Sequence, residues 1–431
     1  MKRKRILIVG GGLAGLSAAY FLGKQGQAVS VFEREKECGG LCRSIKKNGF
    51  TFDFGGHLLH FRRKDIFLLV KRLLKGNLLK HKRSAWVDTH QRLLPYPFQA
   101  NLFGLPKNIA AECLQNFIEV NTNGQKTAKT NNFRDWIDSN FGKGIARHFM
   151  VPYNLKFWKM PLENLSYEWA ERFVVLPSRK DVVEGAIGSR SNNLGYNSFF
   201  WYPKQGGIEE LIKSFSGRVD DIFLNSEAAE IDLKNKAVRF KNGSKEKFDI
   251  LVSTIPLPEL GKIIKGLPKD ILSEFRRLNW LSIYNINLGV KGNIRPGQHW
   301  IYFPRKDSSF FRVGFFNNFS SQLAPRGMSS LYAEASYLGG SAISKSRLAT
   351  AIKKDLARAG ILGKDNSTCC EYTNDIDYAY PIYDKNYRTA RHRIFKFLSK
   401  NKVVSVGRYG GWQYLSMEDV ILEAQATARS I

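Results

Sequence analysis

Short β-branched apolar runs separated by glycine turns punctuate the chain, with longer stretches of helical spacing between them. Arg5-Ile6-Leu7-Ile8-Val9 is apolar at successive positions, which predicts a strand buried on both faces. Leu16 to Lys24 carries small and apolar residues at helical spacing, and Gln27 to Phe32 reads as a second strand. Further on, Ala229–Leu233, Ala237–Phe240 and Phe248–Val252 read as strands, with Asn242-Gly243 as a turn. Lys402–Val406 is another buried-type strand, running through Gly407-Arg408-Tyr409-Gly410 into a helix that reaches Ile431. The segment 64–83, KDIFLLVKRLLKGNLLKHKR, is apolar at helical spacing and strongly basic between the apolar positions.

The glycines between the first strand and helix carry chemistry. Gly10, Gly12 and Gly15 form a G-x-G-x-x-G pattern, and Glu33 closes the second strand eighteen residues after Gly15. One glycine makes the turn, one lets backbone approach a pyrophosphate, and one lets helix pack on strand. The pyrophosphate would lie at the helix N-terminus, and Glu33 would accept from a ribose hydroxyl. A glycine-rich turn with a surface acid is the plain alternative, but strand, helix and acid together favour a dinucleotide. An acid at that position argues against a 2′-phosphate.

Composition narrows the picture. The chain has 431 residues, which at about 150 per domain gives two to three domains. Hydrophobic content of 43%, with 13% aromatics, excludes a disordered chain. No apolar run reaches the ~18 residues of a spanning helix. Basic residues outnumber acidic ones 67 to 38, a net +29 that favours anionic partners without choosing among them. Met-Lys-Arg-Lys-Arg precedes a short strand and glycines rather than a secretory core, and five cysteines, two adjacent, make no disulfide framework. The expectation is a cytoplasmic enzyme. Cys38 and Cys42 lack paired histidines at zinc spacing, so no metal is expected.

The stretch after Glu33, through Gly39-Gly40 to Arg43, resembles the amine-oxidase and protoporphyrinogen-oxidase group of flavoproteins. More specifically, the chain resembles the UDP-galactopyranose mutases, the eukaryotic-type enzymes above all, along nearly its whole length. The carrying stretches begin with Gly55-Gly56-His57, Pro95-Tyr96-Pro97-Phe98-Gln99, Pro152 to Trp158 and Glu171-Arg172-Phe173. They continue with Trp300 to Pro304, Phe311-Arg312-Val313 with Asn318-Phe319-Ser320, Tyr380-Pro381 and Gly407 to Tyr414.

The resemblance implies an α/β architecture: a Rossmann-like FAD-binding domain from 1–60, 205–260 and 395–431, a helical insertion over 61–200 and a mixed strand-rich substrate domain over 261–394. It implies FAD held by Gly10, Gly12, Gly15, Glu33, Gly40, Arg43, Gly56, His57 and Arg408, with NAD(P)H as external reductant. The catalytic residues would be Arg172, Arg312 and His57. The substrate, a UDP-sugar, would meet Tyr96, Gln99, Phe149, Asn154, Arg172, Asn197, Tyr302, Arg312, Tyr380 and Tyr414. Two arginines would clamp the pyrophosphate while reduced-flavin N5 attacks the anomeric carbon, interconverting pyranose and furanose. Serine-, glycine- and asparagine-rich sequence over 173–193 and 197–205 suggests a lid. Leu415 to Asp419 departs from the family's polar turn, and Gln413 replaces a basic residue. The rival reading is a protoporphyrinogen-oxidase-like or amine-oxidase-like redox enzyme. No nucleic acid is expected; peripheral contact with an anionic membrane through 64–83 is a second reading of the basic helix.

Overall fold

The computed structural model describes residues 4–122, 130–189, 194–195, 198–363 and 365–431, and its architecture is mixed α/β. Ile6–Val9 lies at the centre of a parallel five-stranded sheet, ordered Val403–Ser405, Ile250–Ser253, Ile6–Val9, Val29–Phe32 and Asp221–Phe223. All four residues of the central strand are buried, as a strand covered on both faces requires. Leu13–Lys24 covers one face together with the terminal helix Met417–Ser430, where Ala18, Ala19 and Leu22 pack with Ala424 and Ala428. Alanines on both helices permit close approach.

A second, seven-stranded sheet is ordered Thr368–Pro381, Trp280–Lys291, Met328–Leu338, Arg312–Phe315, Trp300–Tyr302, Ala85–Thr89 and Arg92–Pro95. Its last two strands come from the stretch expected to be helical, and Ala85–Thr89 pairs in parallel with Trp300–Tyr302. The basic stretch is not one helix either. Lys64–Leu73 is helical, then Leu79–Lys82 pairs antiparallel with Phe199–Tyr202. Phe199–Tyr202 therefore belongs to a ribbon rather than to a lid. Helices do dominate beyond it: Lys107–Thr122, Phe133–Ile145 and Val151–Trp158 enclose a core of Phe117, Phe133, Trp136, Phe141 and Trp158. Each such side chain contributes about 1.5–3 kcal/mol on burial.

The register of the large sheet aligns polar side chains across its strands. Arg312 pairs with Glu334 on one neighbour and Tyr302 on the other, and Glu334 in turn pairs with Asn285. Residues in register point to the same face, so one polar row crosses four strands.

Candidate active site

The first strand–helix turn forms a cradle of backbone. Gly12 precedes the helix without any side-chain cap, and no acid occupies the first turn, so its N–H groups are left for an anion. Glu33, 6% exposed, accepts from the Gly11 amide at 2.6 Å and from the Glu35 amide at 2.9 Å. Gly39 donates to Gly11 at 2.9 Å, which brings the second glycine pair against the first turn. A side chain at Gly15 would strike the Gly10 carbonyl, whereas at Gly12 the nearest atom is the Gly40 Cα at 3.8 Å. That open strip beside uncapped amides, next to a carboxylate, suits a dinucleotide. Arg43 donates to Gly40 at 2.9 Å and stacks 4.7 Å over Phe54.

Beyond the cradle the polar row opens into a chamber. Tyr302 sits 5.1 Å from Tyr96 and 5.3 Å from Tyr153 between ring centroids. Tyr153 stacks on Phe149, and Phe157 meets both Phe311 and Tyr380 at 5.0 Å. Tyr380 continues to Tyr414 at 5.2 Å, and Tyr414 to Phe173 at 4.1 Å. Four arginines face these rings: Arg83 over Tyr96, Arg172 over Phe173, Arg312 over Phe311, and Arg408 between Tyr380 and Tyr414 at 4.5 and 4.7 Å. The hairpin carrying Tyr302 and Arg312 is pinned by Lys156. Its ammonium donates to the carbonyls of Phe303, Arg305 and Phe310 and to Ser308 Oγ.

Electrostatics differ along the chamber. Burial opposes the Arg312 charge, but the Glu334 carboxylate, 2.5 Å from its Nε, more than restores it and holds the pKa well above the ordinary arginine value. Arg172 donates to Asp419, which also receives Arg62 at 2.6 Å. Burial pushes the His57 pKa down to about 4 despite the Gly55 carbonyl, with Arg408 and Arg312 adding to the fall. Because the Gly55 oxygen only accepts, the proton of the neutral ring lies on Nδ1, 3.4 Å away, leaving Nε2 as acceptor. Burial raises the Tyr302 pKa, so its hydroxyl stays a donor. Gln99 and Asn154 are buried; Gln99 Nε2 donates to Val175 at 2.6 Å while its Oε1 is buried without a hydrogen-bond partner. Asn154 donates to Met150 at 2.7 Å. Arg408 donates to Leu415 and Ala379, and its Nε is likewise buried and unpaired.

The structure thus brings Tyr96, Phe149, Arg172, Tyr302, Arg312, Tyr380, Arg408 and Tyr414 into one continuous aromatic–arginine wall. Gly10, Gly12, Gly15, Glu33, Gly40 and Arg43 gather at the cradle, while Gly56 lies against Tyr332 and His57 feels the Arg408 and Arg312 charges. Asn197 lies outside the described residues. Sequence reasoning missed Arg83, Tyr153, Phe157, Phe311 and Glu334 as wall or pairing residues. Arg83 was hidden at the end of a basic run, and Glu334 has no motif; only sheet register finds it. The replaced turn holds the Asp419 that takes Arg172.

The chain belongs to the flavin containing amine oxidoreductases, whose family model matches residues 13–431, and membership implies FAD. The unpaired Arg408 Nε and the open strip at Gly12 fit that cofactor. A solved structure of reduced UDP-galactopyranose mutase superposes with a TM-score of 0.91 at 27% identity, over 99% of this chain and 94% of that one. The mitochondrial protoporphyrinogen oxidase of Nicotiana tabacum is 23% identical over 459 residues, 92% of this chain and 88% of the relative. Coproporphyrinogen III oxidase of Bacillus subtilis (strain 168) is 20% identical over 409 residues, 85% of each. No helix among the described residues is long and apolar enough to cross a membrane.

Proposed function

We propose that this flavoenzyme is a nucleotide-sugar mutase that interconverts the pyranose and furanose forms of a UDP-sugar of the galactose type. The observation that carries the reading is the pair of guanidinium stations, Arg312 and Arg172, joined through one chain of tyrosine and phenylalanine rings. A diphosphate offers two anionic groups, and planar donor forks match phosphate oxygens. A neutral polyene or amine has no use for both, whereas the carboxylates of a tetrapyrrole could also engage them. The mutase superposition supports the same reading.

In this reading each residue has a task. Arg312 keeps Nε on Glu334 and turns its terminal nitrogens to one phosphate, while Arg172 exchanges Asp419 for the other. The hydroxyls of Tyr302, Tyr380 and Tyr414 donate to the same oxygens and stabilise the charge that develops as UDP departs. Gln99 Oε1 accepts from the uracil N–H, and Tyr96 and Phe149 give the base apolar surface. The ring wall from Tyr153 to Phe311 keeps water from the anomeric centre. Retaining UDP on the arginines makes its return effectively intramolecular. Reduced FAD, when bound, supplies a nucleophilic ring nitrogen for the anomeric carbon. In this reading His57 would accept a hydrogen bond at that edge through Nε2 and, being neutral, would bring no charge of its own.

The porphyrinogen oxidase relatives favour a redox reading of the same fold. Anaerobic incubation of the dithionite-reduced holoprotein with UDP-galactofuranose separates the two. The expected product is UDP-galactopyranose, formed only while the flavin stays reduced. Absence of conversion together with oxygen consumption on a porphyrinogen would overturn the mutase reading.

A further inference from the structure

The basic stretch departs from the site and calls for its own explanation. Helix Lys64–Leu73 buries Ile66, Leu69, Val70 and Leu73 in the core. Its other side presents Lys64, Leu68, Lys71 and Arg72, spaced i, i+4, i+7 and i+8, with Lys75 just beyond its end. Leu68 stands 50% exposed among these cations. The ribbon beside it alternates in the same sense. His81, Phe200 and Tyr202 turn inward, while Lys80 lies opposite Trp201 and Lys82 opposite Phe199 on the outer face. Phe199 is 38% exposed. Phe67 of the helix meets Trp201 of the ribbon at 5.0 Å, so the two outer faces form one surface.

That surface is unneutralised. Over 64–83 the single acid is Asp65, already held by Arg63 through two hydrogen bonds. Among the described residues, Lys64, Lys71, Arg72, Lys75, Lys80 and Lys82 have no acidic partner. Some surface cations elsewhere do meet acids, for example Lys213 with Glu209 and Glu210. A run of unpaired lysines around protruding Leu and Phe side chains is the arrangement of an interfacial surface: apolar tips enter the headgroup region while cations stay at the level of lipid phosphates.

We propose that this face, the outer side of helix 64–73 with the outer side of the 79–82/199–202 ribbon, docks on an anionic phospholipid bilayer. A nucleic acid is the less suited occupant. Its bases need free aromatic faces to stack on, and Lys80 already lies 4.9 Å over Phe199 and 5.6 Å over Trp201. Docking requires no change at the chamber, so it stands independently of the substrate.

The test is flotation of the full-length holoprotein with vesicles of phosphatidylcholine containing about 30% phosphatidylserine. Retention is expected at 0.1 M salt and loss at 0.5 M, where the screening length falls to roughly 4 Å. The variant K71E/R72E/K75E should lower the bound fraction about tenfold. Leu68→Ser with Phe199→Ser should lower it severalfold at unchanged charge. All these side chains are exposed, so flavin absorbance and melting temperature should match the parent and serve as folding controls. No retention on the anionic vesicles overturns the proposal. So does retention that ignores the two serine substitutions, because that is counterion adsorption without insertion. Tighter capture by a mixed-sequence RNA oligonucleotide than by the vesicles would also overturn it.

Discussion

The two arginine stations that flank the chamber are built differently. Arg312 opens the strand Arg312–Phe315 inside a seven-stranded sheet, its side chain 19% exposed, paired with a Glu334 side chain that is 4% exposed. Arg172 sits on the single turn Ala170–Phe173, its side chain 38% exposed, and pairs with Asp419 at the start of the terminal helix. Glu334 is fixed by strand register on both sides, so Arg312 has one place to be. Asp419 is also fixed, by its capping box with Ser416, but Arg172 reaches it from a short exposed segment. The same chemical pair therefore makes a rigid wall on one side and a releasable contact on the other. Arg312 is ready for an anion before binding, whereas Arg172 must first leave a carboxylate.

The largest effect should come from the rigid wall. Arg312→Ala removes a fixed donor pair and is expected to lower kcat/KM for the sugar nucleotide by about 10²–10³-fold. It also leaves Glu334 buried and unpaired, which costs about 3–5 kcal/mol of stability in thermal or urea unfolding. The double variant Arg312→Ala/Glu334→Ala separates the two roles: it should regain part of the stability and none of the turnover. Recovery of turnover would show that Arg312 serves the fold alone. Arg172→Ala comes next. It should raise KM by about tenfold with little change in melting temperature, since Asp419 keeps Ser416 and Arg62. Equal melting losses for the Arg172 and Arg312 variants would end the distinction between the walls.

The carboxylates sharpen the comparison from the other side. Glu334→Gln should weaken UDP binding severalfold, because Arg312 loses the partner that orients it. Asp419→Asn should instead tighten UDP binding by about two- to fivefold, because a competitor for Arg172 is gone; titration of the flavin spectrum with UDP reads both. Burial works against the Asp419 charge, yet the Ser416 hydroxyl and amide and the Arg172 guanidinium outweigh it and hold the pKa below the usual carboxylate range. The pair therefore stabilises the fold above that range and is lost as pH falls through the lowered value. Asp419→Asn should remove that acid-sensitive step.

The cradle and the chamber were not equally legible in the amino-acid sequence. Gly10 to Glu33 spans one strand–turn–helix–strand unit, so spacing along the chain already sets spacing in the fold. The chamber joins segments near 83, 96, 153, 172, 302, 312, 380, 408 and 414, and nothing local says that they meet. Resemblance supplied most of the arginines and tyrosines. It could not supply Glu334, whose only claim is its register opposite Arg312, nor the strands 85–89 and 92–95 that carry Tyr96 to Tyr302. The basic run misled for a local reason as well: Lys75-Gly76-Asn77 breaks the helical spacing, with Lys75 at φ 51° and Gly76 at φ 78°, and the chain leaves as a strand.

The smallest predicted effect tests whether His57 belongs to the rigid wall. Its pKa, pushed down to about 4 first by burial, is lowered further by the Arg408 and Arg312 charges. The unfolded chain, with histidine near 6.5, binds more protons than the folded chain between those values. Stability should therefore be complete above about pH 6.5 and decline as pH falls toward 4, and His57→Asn should flatten part of that decline. An anion held by Arg312 acts on His57 with the opposite sign, because it offsets the guanidinium charge that the ring feels. UDP binding should thus raise the His57 pKa and take up a fraction of a proton near pH 5, and none near pH 8. Calorimetric titration in buffers of different ionisation enthalpy measures that uptake directly. Uptake that survives His57→Asn but vanishes in His60→Asn would move the coupling to the Arg172 side, where Asp419 and Arg62 face His60. Uptake lost with His57→Asn would place the first phosphate at Arg312, with Arg172 closing afterwards.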